Sequence, residues 1–240
     1  MKRYWIKPVK NRPAVAYIVS SIMLFSALGC LSAQAATFKV NDGSKQYDAV
    51  ISVSQCDKET CSGEGRVSLY KKGSKQLLQS LTSEDLYFFL KEDQTPSVNV
   101  IQLYDEQSPL IFDDFNFDGQ QDLAIRNGNY SSYGGPSYDV YVFNKTKAKF
   151  VFSEALTKLA VENLGIFQTD HKRQRLITFN KSGCCYHETI EYVVVPNKGL
   201  KAVYKVIEDA TDGDDGVKVT TRELKNNKWV QSVKKYKVDE

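Results

Sequence analysis

The stretch Leu110-Ile111-Phe112-Asp113-Asp114-Phe115-Asn116-Phe117-Asp118-Gly119-Gln120-Gln121-Asp122-Leu123-Ala124-Ile125 decides how this chain folds. Counted from Asp114, oxygen-bearing side chains fall at loop positions 1, 3, 5 and 9: Asp114, Asn116, Asp118 and Asp122. Gly119 stands at position 6, and Gln120 at position 7 can offer its backbone carbonyl. Ca²⁺ takes six to eight hard oxygens, alternating loop residues turn theirs toward one centre, and glycine permits the sharp turn. In an EF-hand such a loop joins two helices and closes with a bidentate Glu at position 12. Here position 12 is Ile125, and both flanks are short apolar runs rich in strand formers. The expectation is a strand-flanked calcium loop of structural role, with an affinity in the weaker extracellular range of about 10⁻⁴ to 10⁻³ M. Without a metal, the same residues would form an Asx-rich turn.

Outward from the loop, short β-rich runs alternate with turn residues. Tyr47 to Val53, Arg66 to Tyr70, Val98 to Tyr104 and Tyr138 to Phe143 read as strands, as do Arg175 to Phe179, Thr189 to Val195, Leu200 to Ile207, Val217 to Leu224 and Trp229 to Lys237. Only Ser153 to Leu164 has a helical pattern. The fold class is therefore all-β, an antiparallel sandwich or a small propeller-like domain, with residues 36–240 as one β-rich unit. Asp212-Gly213-Asp214-Asp215-Gly216 reads as a hairpin turn, and Lys234-Lys235-Tyr236-Lys237 as a solvated edge guarded by lysine. No GxGxxG string or phosphate loop appears.

The N-terminus carries Lys2, Arg3, Lys7, Lys10 and Arg12 without an acid, then an apolar stretch from Ala14 to about Leu31, then Ala33-Gln34-Ala35. Positive start, apolar middle and small-x-small site describe a secretory signal peptide over residues 1–35, which places the rest in the periplasm. Ala27-Leu28-Gly29-Cys30 is a loose lipobox, so a lipid anchor at Cys30 is the alternative to a soluble protein. The whole chain of 240 residues has a formal charge of +3, from 32 basic and 29 acidic side chains. Without the leader's basic residues, 27 basic and 29 acidic side chains remain, a formal −2. The basic character belongs to the leader, and a nucleic-acid partner is excluded with it.

Asp114 to Ile125, the Gly-rich run Asn127-Gly128-Asn129-Tyr130-Ser131-Ser132-Tyr133-Gly134-Gly135-Pro136 and the strand Tyr138 to Phe143 resemble the FG-GAP-type calcium-loop proteins of bacterial envelopes. The likeness continues through Arg175 to Phe179 and Lys181-Ser182-Gly183-Cys184-Cys185-Tyr186-His187, and covers residues 98 to 207. Ser182-Gly183-Cys184-Cys185-Tyr186 is an S-G-x-x-Y string similar to the loop of periplasmic lysozyme inhibitors, including the invertebrate-type lysozyme inhibitor family, and of immunity proteins against secreted lysozyme-like effectors. The resemblance implies a β-rich domain that inserts Ser182, Gly183 and Tyr186 into the cleft of a lysozyme-like glycoside hydrolase, the protein partner, and performs no catalysis itself. The chemistry is coherent. Such a cleft holds a protonated and an ionised carboxyl group, a serine hydroxyl can donate to one and accept from the other, and tyrosine is a strong interface anchor.

This sequence departs from that pattern by placing cysteine at both free positions. Cys184 and Cys185 have three fates: a vicinal disulfide, cross-links to Cys56 and Cys61, or metal ligation. Cys56 and Cys61 flank Asp57-Lys58-Glu59-Thr60 at a spacing suited to a local staple. Cys56–Cys61 is the favoured pair, with Cys184–Cys185 the implied second bond; an oxidising compartment supports disulfides over zinc. With His171 and His187 as the only histidines and no nucleophile-elbow string, Ser–His–Asp hydrolysis is disfavoured. The rival to inhibition is a calcium-stabilised envelope module for a glycan or protein ligand, its surface built from Asn129, Tyr130, Tyr133 and Tyr138.

Overall fold

A computed structural model describes residues 35–103, 107–196, 198–211 and 216–237. The expected leader up to Gln34, Cys30 within it, Tyr104 and the turn residues Asp212–Asp215 lie outside the described residues. Among the described residues the chain forms three antiparallel sheets, none closed into a barrel. The first contains β1 (Ala36–Val40), β2 (Tyr47–Cys56), β3 (Thr60–Lys71) and β4 (Leu77–Ser83) in that order, with the short β5 (Phe88–Phe89) pairing the start of β3. The second runs β6 (Leu110–Asp113), β7 (Asp122–Arg126), β8 (Tyr138–Asn144) and β9 (Lys149–Phe152). After one helix, α1 (Glu154–Val161), the third sheet runs β10 (Gln168–Asp170), β11 (Arg175–Ser182), β12 (Tyr186–Val195), β13 (Gly199–Asp209), β14 (Gly216–Lys225) and β15 (Lys228–Lys237). The expected all-β, sandwich-like class holds, and no helix among the described residues is long and apolar enough to cross a membrane.

The middle sheet is the layer on which the others rest. Successive side chains of a strand point to opposite faces, and in β6 and β7 both faces are covered. Leu110, Phe112, Leu123, Ile125 and Phe150 join Ala49, Ile51, Val67 and Leu69 of the first sheet in one core. Ile111, Ala124, Tyr138 and Val140 face the other way, toward Leu156, Leu159 and Ala160 of α1 and Leu176 of β11. Every residue of β7 is buried as a result. Small and large residues alternate to fit: Ala124, paired across the strands with Ile111 and Val140, leaves room for the helix.

Most expected strands appear, some longer than read. The described part of the expected strand Val98 to Tyr104, residues 98–103, does not form one. Asn99 sits at φ 61°, its side-chain amide donates to Gly43 O at 2.6 Å, and its Oδ1 accepts from the Phe112 N–H at 2.7 Å. A left-handed residue that caps two other segments breaks a ladder, and only the isolated bridge Ile101↔Gln107 remains. Tyr138 also departs from its assignment to the binding surface of the rival reading. It is fully buried, and its hydroxyl donates to Ser108 O at 2.8 Å, so it packs the core beneath the loop.

The C-terminal strand β15 is exposed along all ten residues, Lys228, Lys234, Lys235 and Lys237 included. It pairs β14 on one side and ends the sheet, as expected of a lysine-guarded edge.

These contrasts set the expected cost of truncation. Leu123→Ala should destabilise the protein by about 2–5 kcal/mol in urea unfolding, because it empties space between two sheets that cannot collapse freely. Trp229→Ala, on the exposed strand, should stay within about 0.5 kcal/mol of wild type.

Candidate functional site: a hairpin tip and an aspartate loop

Ser182 closes β11 and Tyr186 opens β12, and the two are direct cross-strand partners in the ladder. Residues paired this way present their side chains on the same face of the sheet, about 5 Å apart. The turn between them, Gly183-Cys184-Cys185, is the tip of the hairpin. Ser182, Gly183 and Cys184 are exposed, while Cys185 and Tyr186 are half-buried. Gly183 takes a positive φ of 64°, and a Cβ added there would meet nothing within 4 Å. Backbone conformation therefore selects glycine here, not crowding.

Several bonds hold the tip. Cys184 and Cys185 form the vicinal disulfide, with Cα atoms 3.7 Å apart. The Ala210 N–H donates to Cys185 O at 2.8 Å, tying the tip to the end of β13. From the other side, the Gly183 N–H donates to the Tyr133 hydroxyl at 2.7 Å. Lys181 Nζ stands 4.9 Å from the centroid of the same Tyr133 ring, a cation–π distance. A groove of about 290 Å³ lies alongside, lined by Gln107, Ser132, Tyr133, Gly135, Pro136, Leu164 and Lys181. The fold thus brings together two segments that sequence reading assigned to rival functions: the S-G-x-x-Y string and the Tyr-rich loop. Tyr130 and Tyr133 are exposed, at 69% and 64%.

The Tyr-rich loop stands on a buried arginine. Arg126 ends β7 on the same face as Ala124 and is only 6% exposed. Its Nη2 donates to Asn129 Oδ1 at 2.6 Å, its Nη1 to Gln107 O at 3.4 Å, and its guanidinium lies 5.1 Å from the Tyr87 ring centroid. Burial pulls its pKa below the ordinary value, opposed by nearby Tyr138, Tyr87 and Asp85. Next to it, Asn127 joins three segments: its Nδ2 donates to Asp139, and its Oδ1 accepts from Ser83 Oγ and the Asp85 N–H. Arg126 was not singled out from sequence, and Asn127 entered only as a member of the Gly-rich run. The available signal was period 2 along β7, which places Arg126 on a covered face once both faces are known to be covered.

The aspartate loop lies elsewhere. It leaves β6 at Asp113 and enters β7 at Asp122, the opposite end of β7 from the Tyr-rich loop. Asn116 and Asp118 line a groove with Val194, Val195, Pro196 and Leu200, at the far end of β12 from Tyr186. A strand of that length spans about 30 Å, so the loop and the hairpin tip sit at opposite ends of the third sheet.

Within the loop, the oxygens are arranged around backbone amides. The Asp118 N–H donates to both Asp114 Oδ1 and Asn116 Oδ1 at 3.0 Å, the Gly119 N–H to Asp114 Oδ2 at 2.8 Å, and the Gln120 N–H to Asp118 Oδ1 at 2.9 Å. The side chain of Gln120 folds onto Gly119 O, and Lys145 Nζ donates to Asp118 O at 3.0 Å. Asp122 turns inward. It is fully buried, accepting from the Phe115 and Asn116 N–H groups through Oδ2 and from Phe143 N–H through Oδ1. Burial pushes its pKa up to about 7, with the charges of Asp114 and Asp118 adding to the rise and the Phe143 and Phe115 amides opposing it. Phe117 and Gly119 both take positive φ, 61° and 83°, at the bend. The hard-oxygen donors suit a calcium ion by type and spacing, yet among the described residues no three His, Cys, Asp or Glu side chains gather into a metal-holding group.

The remaining candidates are also placed. Cys56 pairs Cys61 in a disulfide, and the two are ladder partners closing the β2–β3 hairpin. Asp57 caps that turn by accepting from the Glu59 and Thr60 N–H groups, which lowers its carboxyl pKa. His171 is an exposed turn residue, its Nε2 2.7 Å from Asp113 Oδ1. His187 stays within β12, away from any cluster.

Neither a known protein family nor a curated protein matches this sequence. In fold, the chain is similar to a solved structure described as that of a Xanthomonas type IV secretion system related protein. The two share 22% identity over 82% of this chain and 97% of the other, with a TM-score of 0.61.

Proposed function

We propose that this protein is an exported inhibitor that sets the tip Ser182-Gly183-Cys184-Cys185-Tyr186 into the active-site cleft of a lysozyme-like glycan hydrolase, with no catalysis of its own. One observation carries the reading. Ser182 and Tyr186 are cross-strand partners at an exposed hairpin tip held by a disulfide and by hydrogen bonds from two sides. Holding a tip in its bound conformation before binding reduces the ordering cost that a free loop would incur. A serine hydroxyl and a tyrosine on one face, with an exposed glycine between them, suit a cleft whose walls carry an acid and a carboxylate.

Placement in the bacterial envelope is part of the proposal. It rests on the leader-like N-terminus, on two disulfides suited to an oxidising compartment, and on likeness in fold to a secretion-system related protein. Ca²⁺ at Asp114, Asn116, Asp118, the Gln120 carbonyl and Asp122 would brace the end of the middle sheet remote from the tip. It would neutralise carboxylates that now lie close together, one of them buried. The groove beside Tyr133 favours the second reading, a module that holds a glycan or protein ligand without inhibiting anything.

Titration of the purified protein against a panel of lysozymes tests the main reading. Stoichiometric inhibition is expected with at least one of them, and the Ser182→Ala/Tyr186→Ala variant should lose it by about thirtyfold or more, as for an interface anchor. Equal inhibition by that variant would end the proposal. Glycan retention without inhibition would support the binding module instead.

Calcium has its own test. At about ten times Kd, Ca²⁺ should stabilise the protein by about 1.4 kcal/mol in thermal or urea unfolding, and Asp114→Ala/Asp118→Ala should abolish the effect. An unchanged transition across millimolar Ca²⁺ would remove the ion from the account. Because loop and tip lie at opposite ends of the sheet, chelation should lower stability far more than it weakens inhibition.

A further inference from the structure

Tyr133 is an odd residue at its position. Its φ of 60° lies in the left-handed region, where a bulky aromatic residue is rarely found. The residue is 64% exposed, so burial does not hold it there. Glycine or asparagine would take this backbone without strain. The neighbouring bonds already fix the loop: Ser132 N–H donates to Asn163 O at 3.0 Å, Gly134 N–H to Ser131 O at 3.1 Å, and Asn129 is held from below by Arg126. What tyrosine adds is reach. Its hydroxyl accepts from the N–H of Gly183, fifty residues on, and its ring receives Lys181. Without it, that amide at an exposed tip would face water alone.

We infer that Tyr133 is the positioning residue of the hairpin tip, and that tip and Tyr133 loop act as one interaction surface. A hydrolase whose cleft receives Ser182 and Tyr186 would also meet the Tyr133 ring on the cleft rim. The positioning role stands on the contacts alone; the extended footprint rests on the inhibitor reading above. Gly183 can turn left-handed by itself, but a glycine has many other conformations to visit. The bond to Tyr133 selects one of them before a partner arrives, and the vicinal disulfide constrains the two residues that follow.

Two variants separate this role from plain loop stability. Tyr133→Phe removes only the acceptor, and Tyr133→Asn removes the ring while suiting the backbone better. Amide exchange at Gly183, followed by NMR, should rise about tenfold in Tyr133→Phe and at least as much in Tyr133→Asn. Tyr133→Asn should nevertheless melt no lower than wild type, an outcome opposite in sign to a structural role. On a lysozyme that the wild-type protein inhibits, inhibition should weaken about tenfold in Tyr133→Phe and further in Tyr133→Asn, with Trp229→Ala unchanged. Unaltered Gly183 exchange in Tyr133→Phe would overturn the positioning role. Faster exchange with undiminished inhibition in both variants would overturn the shared surface while leaving the inhibitor reading intact. If the wild-type protein inhibits no lysozyme, the inhibitor reading and the extended footprint fall together, and the exchange data still decide the positioning role.

Discussion

A strand covered on both faces leaves the polar groups at its ends little help from water, and β7 in the middle sheet carries a charged residue at each of its ends. Asp122 and Arg126 begin and end β7, on the same face as Ala124 and with no exposure of consequence. An unpaired charge in such a place costs several kcal/mol, so each must gather partners. Asp122 gathers amides from its own loop and from β8; Arg126 gathers Asn129, the Gln107 carbonyl and the Tyr87 ring. In doing so, each fixes the loop at its end of the strand. The aspartate loop and the Tyr-rich loop are thus consequences of one constraint, expressed at opposite ends of five residues.

That arrangement separates two loops that adjoin in the sequence. The aspartate loop and the Tyr-rich run are divided only by β7, yet the strand carries them to opposite ends of the middle sheet. The Tyr-rich loop then meets the hairpin tip, which comes from a different sheet and from much later in the chain. The contacts between Tyr133, Lys181 and Gly183 are the point where the second and third sheets cooperate at an exposed surface. The hairpin tip and the charge-dense aspartate loop lie at opposite ends, so neither needs the other to move.

Much of the fold was legible in the sequence. Period-2 alternation and turn residues located β2, β3, β8 and the strands from β11 to β15, and the helical stretch after Phe152 became α1. The spacing of Cys56 and Cys61 matched a hairpin staple, and the vicinal pair followed. The short strands β1, β4, β5, β9 and β10 were missed, because a few residues without clear alternation carry little periodic signal. Val98 to Tyr104 was misread because strand propensity says nothing of Asn99, whose side chain serves Gly43 and Phe112 instead of a ladder. Of the candidate site, the tip residues were visible as a string, but their support was not. Tyr133 lies far from Gly183 in sequence, and no local pattern announces a hydroxyl that will meet an amide across two sheets.

In all three sheets spatial order follows chain order, the short β5 beside β3 excepted. This has a kinetic consequence. A chain emerging N-terminus first, from a ribosome or through a membrane, finds each new strand's partner in the strand that has just emerged, and hairpins of this kind form within microseconds. No strand must wait for a distant segment to complete its ladder. The slow events are left to the stacking of finished sheets, where closing long loops sets the rate. Strands β6 and β7 are buried on both sides only when the last of those events is over, so until then their apolar faces are open to misassociation.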